Sequence, residues 1–162
     1  EGRDYVIKQY HENSGRSRDP MRAIQTKKFL YLFNPWSNGE RIFATATNGT
    51  VTCKRMIELS EEDEQMNERL ELYQFRTPEE LYNIARDPDC LENMIAYSSR
   101  AQDFKKLQAD LEEWMVRTGD PILECFKNRE DPDFVEAYVQ KLEAESRARG
   151  AKKKASSKEK KK

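Results

Sequence analysis

The sequence predicts an α+β fold: a small antiparallel sheet of about four strands, packed by a long helix and joined by further helices. Three observations carry this. Short stretches rich in β-branched and aromatic residues, at 4–10, 21–26 and 29–33, are separated by turn residues. The stretch from Ser99 to Thr118 places Phe104, Leu107, Leu111, Trp114 and Met115 on one helical stripe, with Lys105, Lys106, Asp110, Glu112 and Glu113 opposite. Strands come first, then helices, then a strand and a helix, an order that gives a layered α+β domain.

Tyr5, Val6, Ile7 and Tyr10 mark the first strand. His11 to Pro20 is polar, holds Gly15 and ends in proline, so it reads as a loop. Met21, Ala23 and Gln25 alternate with Arg22, Ile24 and Thr26, giving a second strand with its turn at Lys27-Lys28. Phe29 to Phe33 is continuously apolar, as in a strand covered on both faces. Asn34-Pro35-Trp36-Ser37-Asn38-Gly39 ends it. Residues 50–70 read as two helical pieces, the second capped at Ser60 with Glu61, Glu62 and Asp63 in its first turn. Leu72 to Phe75 and Glu80 to Asn83 read as strands, the latter broken at Asp87-Pro88.

The Ser99–Thr118 helix has a natural left-handed stop at Gly119, and Pro121 blocks its continuation. Trp114 is its expected largest contact with the sheet. A second helix begins at Asp131-Pro132, a capping residue followed by a proline suited to the first turn. Phe134, Tyr138 and Leu142 trace its apolar line. Residues 1–126 form the expected α+β subdomain, 127–149 a helical extension and 150–162 a disordered Lys-rich tail.

The chain has 162 residues and a formal net charge of −1. Its mean hydropathy is −1.02. Residues 151–162 hold seven Lys against one Glu, a balance of +6, so the remainder carries −7. An acidic body is not a nucleic-acid-binding face. The tail is expected to be solvated, with phosphate, lipid or acidic polysaccharide as the alternative contacts. No stretch approaches the roughly 18 apolar residues of a membrane span. Cys53, Cys90 and Cys125 fit no metal or redox spacing. Three buried thiols are the simplest expectation, with one bridged pair as the alternative. The chain starts at Glu1 without Met and runs almost at once into a strand, which points to a piece of a longer protein.

Pro20-Met21-Arg22-Ala23-Ile24-Gln25-Thr26-Lys27-Lys28-Phe29, then Glu80-Leu81-Tyr82-Asn83, Asp87-Pro88, Glu92-Asn93, Trp114 and Thr118-Gly119-Asp120-Pro121 form an ordered set. It resembles the C-terminal subdomain of sulfatases, closest to the branch similar to N-sulfoglucosamine sulfohydrolase (heparan N-sulfatase). The resemblance runs from Arg3 to Pro121. It implies a four-stranded antiparallel sheet with a long helix, within a hydrolase of sulfate esters or sulfamates on a sulfated carbohydrate. It further implies a periplasmic or secreted location, an N-terminal catalytic domain of the same protein as partner, and in that domain a formylglycine and a Ca²⁺ ion. Formylglycine arises from a Cys/Ser-x-Pro-x-Arg motif. Cys53, Cys90 and Cys125 are followed by Lys-Arg-Met, Leu-Glu-Asn and Phe-Lys-Asn, so none qualifies. No catalytic or metal-ligating residue is expected in these 162 residues.

The resemblance also implies that His11 and Glu12 lie near the substrate pocket, where a carboxylate accepts from sugar hydroxyls and an imidazole donates to sulfate. Arg22 is the third substrate-binding candidate, through a bidentate contact with an anion. The plainer expectations are a surface or capping role for His11 and a structural ion pair for Arg22. Tyr5, Tyr10, Phe29, Tyr31 and Phe33 read as sheet core. Trp36 is the best candidate for an exposed aromatic, or for packing on a neighbouring domain. Glu61-Glu62-Asp63-Glu64 lacks the spaced ligands and Gly of a calcium loop and reads as a solvated helix face. Two further function classes stand beside the sulfatase reading: another hydrolase of the alkaline phosphatase superfamily with a similar appendage, and a non-catalytic polyanion-binding module.

Overall fold

The computed structural model describes residues 4–12, 18–43 and 45–159, with side chains through residue 151. Its elements are β1 (Val6–Tyr10), β2 (Met21–Gln25), β3 (Leu30–Phe33), α1 (Val51–Ser60), α2 (Glu64–Phe75), β4 (Glu79–Tyr82), α3 (Ala101–Thr118), α4 (Leu123–Lys127) and α5 (Pro132–Glu159). The strands form one antiparallel sheet in the order β1-β2-β3-β4. The fold is therefore the α+β architecture that the sequence predicts.

Strand register decides which side chains face the helix. Ile24 pairs with Ile7 and Tyr31, and Tyr31 pairs with Leu81, so these residues share one sheet face. Leu107, Leu111 and Met115 of α3 pack on that face, with Phe126 of α4. Phe126 meets Phe33 edge-on at 5.1 Å, and Phe104 meets Tyr31 at 5.4 Å. Gly119 stops α3 in the left-handed region (φ 62°), and its amide donates to the carbonyls of Met115 and Val116. Trp114 is only half-buried, so Leu111 and Met115, both fully buried, make the contact expected of it.

The opposite face is half-covered. Met21, Leu30 and Leu32 are partly exposed there, and Val6 is 49% exposed. β3 is therefore not covered equally on its two sides. Glu80 and Tyr82 share this face yet are fully buried. Glu80 accepts from Arg76 Nε (2.9 Å) and Nη2 (2.7 Å), Asn34 Nδ2 (2.7 Å) and Tyr82 Oη (2.7 Å). Such a set of charge-assisted donors is what a buried carboxylate needs. Arg76 reaches it from the positive-φ region (φ 55°, ψ −169°), just past the end of α2.

Several expectations are corrected. Leu72–Phe75 completes α2 and is not a strand: Tyr73 Oη donates to Asn48 Oδ1 at 2.8 Å, which holds the helix end in place. Ser60 is not a cap. Its hydroxyl donates back to Ile57 O, and Asp63 Oδ1 caps α2 by accepting from Met66 N at 3.0 Å. Trp36 is fully buried, stacked on Phe43 at 5.1 Å, because the chain folds back over it after Gly39. α4 had no separate signal in the sequence. Phe134 is 39% exposed, whereas Val139 of α5 is fully buried. α5 continues through Gly150 to Glu159 where a disordered tail was expected; Ala, Lys and Glu are good helix formers, and one Gly lowers helix stability by only about 1 kcal/mol. Cys53 and Cys125 are buried and free, and burial pushes the Cys125 thiol up to about 12. Cys90 is free too but only partly buried, at φ 54° in the loop after β4.

Candidate functional site

His11 and Glu12 lie where β1 ends, and Arg22 lies on β2 paired opposite Gln9. The turn after α3 brings Asp120 beside them, because Gly119 reverses the chain and Asp120 N then donates to Met115 O at 2.9 Å. α5 closes the other side with Tyr138, Leu142 and Arg149. With His11, Glu12, Arg18, Pro20, Pro121 and Ile122 these α5 residues line a groove of about 380 Å³.

Arg22 is fully buried. Its Nε and Nη2 donate to Asp120 Oδ2 (2.7 Å) and Oδ1 (3.1 Å), and its Nη1 donates to the carbonyls of Met21 (2.8 Å) and Tyr10 (3.1 Å). Its remaining donor reaches His11 Nε2 at 3.5 Å. A guanidinium has five N–H donors, and all five are engaged. Arg22 is thus a structural ion pair with no donor left for a ligand, the plainer of its two sequence expectations. The pair also serves the turn: Asp120 Oδ1 accepts from Ile122 N at 2.9 Å.

His11 and Glu12 are both exposed. Partial desolvation, and next the Arg22 charge, lower the His11 pKa below its usual 6.5. Glu12 Oε2 accepts from Arg149 Nη2 at 2.5 Å and Arg18 Nε at 3.3 Å, and the hydrogen bond from Arg149 is the main reason its pKa falls. Arg18 Nη1 also donates to Glu145 on α5 at 3.0 Å. Tyr138 Oη donates to Pro121 O at 2.9 Å, and burial raises its pKa to about 12, so it stays protonated.

The structure places His11, Glu12 and Arg22 close together but divides their roles. His11 and Glu12 line the groove, whereas Arg22 supports it from beneath. Sequence reasoning missed Arg18, Tyr138 and Arg149. The last two sit eleven residues apart on α5, three helical turns, so the spacing that places them on one face was present in the sequence. Nothing in the sequence said that this face meets the loop after β1.

No protein-family model and no curated protein sequence matches the chain. Among solved structures, it is similar to a 2-O GAG sulfatase and to a putative sulfatase from Bacteroides thetaiotaomicron VPI-5482. Each is 16% identical, with a TM-score of 0.44, over 74% of this chain and 18% of the other. These structural neighbours are sulfatases. The chain spans less than a fifth of the length of the sulfatases it matches.

The groove offers an imidazole, a carboxylate already held by arginines, and apolar walls. That suits binding and orientation of a polar ligand. Among the described residues, no three of His, Cys, Asp and Glu converge to hold a metal ion. No helix in the described residues is long and apolar enough to cross a membrane.

Proposed function

We propose that this chain is the C-terminal subdomain of a sulfatase that hydrolyses sulfate esters or sulfamates of a sulfated carbohydrate. In this reading formylglycine and Ca²⁺ belong to an N-terminal catalytic domain, and the chain supplies structural support and part of the substrate pocket. His11 and Glu12 stand at the pocket rim, and the protein works in the periplasm or outside the cell. One observation carries the reading. The two segments that resemble sulfatases, 20–34 and 80–121, are joined through the bidentate pair between Arg22 and Asp120, 98 residues apart. This contact supports reading the two segments as parts of one structural unit.

The test is an assay of two proteins on an aryl sulfate and on a sulfated disaccharide. The 162-residue chain is expected to show no turnover on either, with or without Ca²⁺. A longer polypeptide that includes an upstream Cys/Ser-x-Pro-x-Arg motif is expected to hydrolyse both. Turnover by the 162-residue chain, or none by the longer protein, overturns the proposal. In the longer protein, Glu12→Gln is expected to weaken catalysis on the disaccharide by roughly 10- to 150-fold and to leave the aryl sulfate nearly unaffected, because a contact with the sugar is absent from the small substrate.

A second reading is a polyanion-binding module. It is favoured by one feature, a C-terminal segment, 151–162, with a charge balance of +6.

A further inference from the structure

We propose that Arg22 and Asp120 form a positioning pair that locks His11 as the tautomer protonated on Nδ1, so that the groove offers one fixed N–H donor to an anionic oxygen such as that of a sulfate. This deepens the reading of His11 as a substrate-facing residue and rests on it for the identity of the ligand. The tautomer itself rests on geometry alone.

A guanidinium has no acceptor atom. The 3.5 Å contact between Arg22 Nη2 and His11 Nε2 is a hydrogen bond only when Nε2 is the acceptor and carries no proton. In a neutral imidazole the proton must then sit on Nδ1, because the hydrogen bond made by one ring nitrogen fixes the state of the other. Arg22 cannot turn away. Its four other donors are held by both Asp120 oxygens and by the carbonyls of Tyr10 and Met21, and the side chain is fully buried. Asp120 is equally fixed: it is buried, follows the left-handed Gly119 and accepts from Ile122 N.

The charged groups that act most on His11 come from β2, the turn after α3 and its own loop. They are Arg22 on β2, Asp120 in the turn after α3, and Glu12 and Arg18 in its own loop. Nδ1 has no partner among the described residues. Neither ring nitrogen offers a lone pair to the groove, since Nε2 is occupied and Nδ1 is protonated. His11 so held is a donor to an oxygen and not a metal ligand. Arg18 and Arg149 line the same groove and favour an anion over a neutral acceptor.

His11 is the only histidine of the chain, so one imidazole ring pattern appears in a nitrogen-15 NMR spectrum. At neutral pH, Nδ1 of the unmodified protein is expected at the protonated position and Nε2 at the unprotonated one. The reverse assignment, or averaged shifts on both nitrogens, overturns the proposal without any variant being made. Asp120→Asn, which frees Arg22 on one side, is expected to move the ring toward averaged shifts. Sodium sulfate, titrated against chloride at matched ionic strength, is expected to shift the Nδ1 resonance, with affinity about fivefold to tenfold weaker in Asp120→Asn. A locked Nδ1–H ring that does not respond to sulfate overturns the ligand assignment. These readouts need no turnover, so they fail separately from the sulfatase assay.

Discussion

Arg22 and Asp120 show how a buried charge is made tolerable. Each is almost completely removed from water, yet every Arg22 donor has an acceptor and both Asp120 oxygens are used. Removing one partner leaves the other charged and unpaired. Asp120→Ala is therefore expected to destabilise the fold by about 3–5 kcal/mol. Urea unfolding followed by tryptophan fluorescence checks this, and a loss under about 1 kcal/mol would contradict the arrangement. His11 adds a pH dependence. Its folded-state pKa lies below 6.5, so the unfolded state takes up a proton first as pH falls. The stability linked to His11 is thus fully present above pH 6.5 and is lost as pH falls through the lower folded value. His11→Gln is expected to remove that step from a plot of stability against pH, while leaving the carboxylate-driven loss at lower pH. Unchanged curves would show that the ring is not perturbed.

At the scale of elements, the short link between α2 and β4 is where two effects compete. Arg76 holds the buried Glu80, but does so from a backbone region that suits glycine. The strain of such a position is about 1–3 kcal/mol, whereas leaving a buried carboxylate without its cation costs about 3–5 kcal/mol. The ion pair wins, so Arg76→Gly is expected to destabilise by about 2 kcal/mol in spite of the relaxed backbone. A thermal melt of that variant at or above the parent Tm would reverse the ranking. α5 shows a different balance. Val139 is buried against the body, and the helix adds charged contacts through Glu136 to Arg41, Glu145 to Arg18 and Arg149 to Glu12. The start of α5 at Asp131-Pro132 was legible in its capping, whereas Val139 lies off the line of Phe134, Tyr138 and Leu142 that periodicity picked out. The partners of Glu136, Glu145 and Arg149 were not legible, because polar residues on a helix read as solvated until another element supplies the opposite charge.

For the whole molecule, the charge distribution separates the two functional readings. An acidic body of −7 joined to a segment of +6 is expected to bind heparin weakly and only through that segment. The chain shortened by residues 150–162 is expected to pass unretained through a heparin column at low salt, while the full chain is retained and elutes early in a salt gradient. Retention of the shortened chain would instead place a polyanion site on the body. The half-covered sheet face, with Val6, Met21, Leu30 and Leu32, is the larger-scale counterpart of the same question. The α3 helix packs on the face that holds Ile24, Tyr31 and Leu81.

The strands β1 to β3, the α3 helix and its stop at Gly119 follow from local chemistry: β-branched and aromatic residues, a 3.6-residue stripe, and a glycine where φ must be positive. Those signals lie within a few residues of the elements they specify, so the α+β class and most element positions were fixed by the sequence itself. Trp36 and Leu72–Phe75 show the limit. An aromatic beside Pro and Gly looked exposed, and a short apolar run looked like a strand. Only Phe43 and Asn48, folding back from elsewhere in the chain, buried the first and anchored the helix that holds the second. The candidate site divides the same way. His11, Glu12 and Arg22 could be named from the sequence. That Arg22 has no free donor, that it meets His11 at Nε2, and that Arg18 and Arg149 close on Glu12 depend on groups as much as 137 residues away, and only tertiary structure brings those within hydrogen-bonding distance.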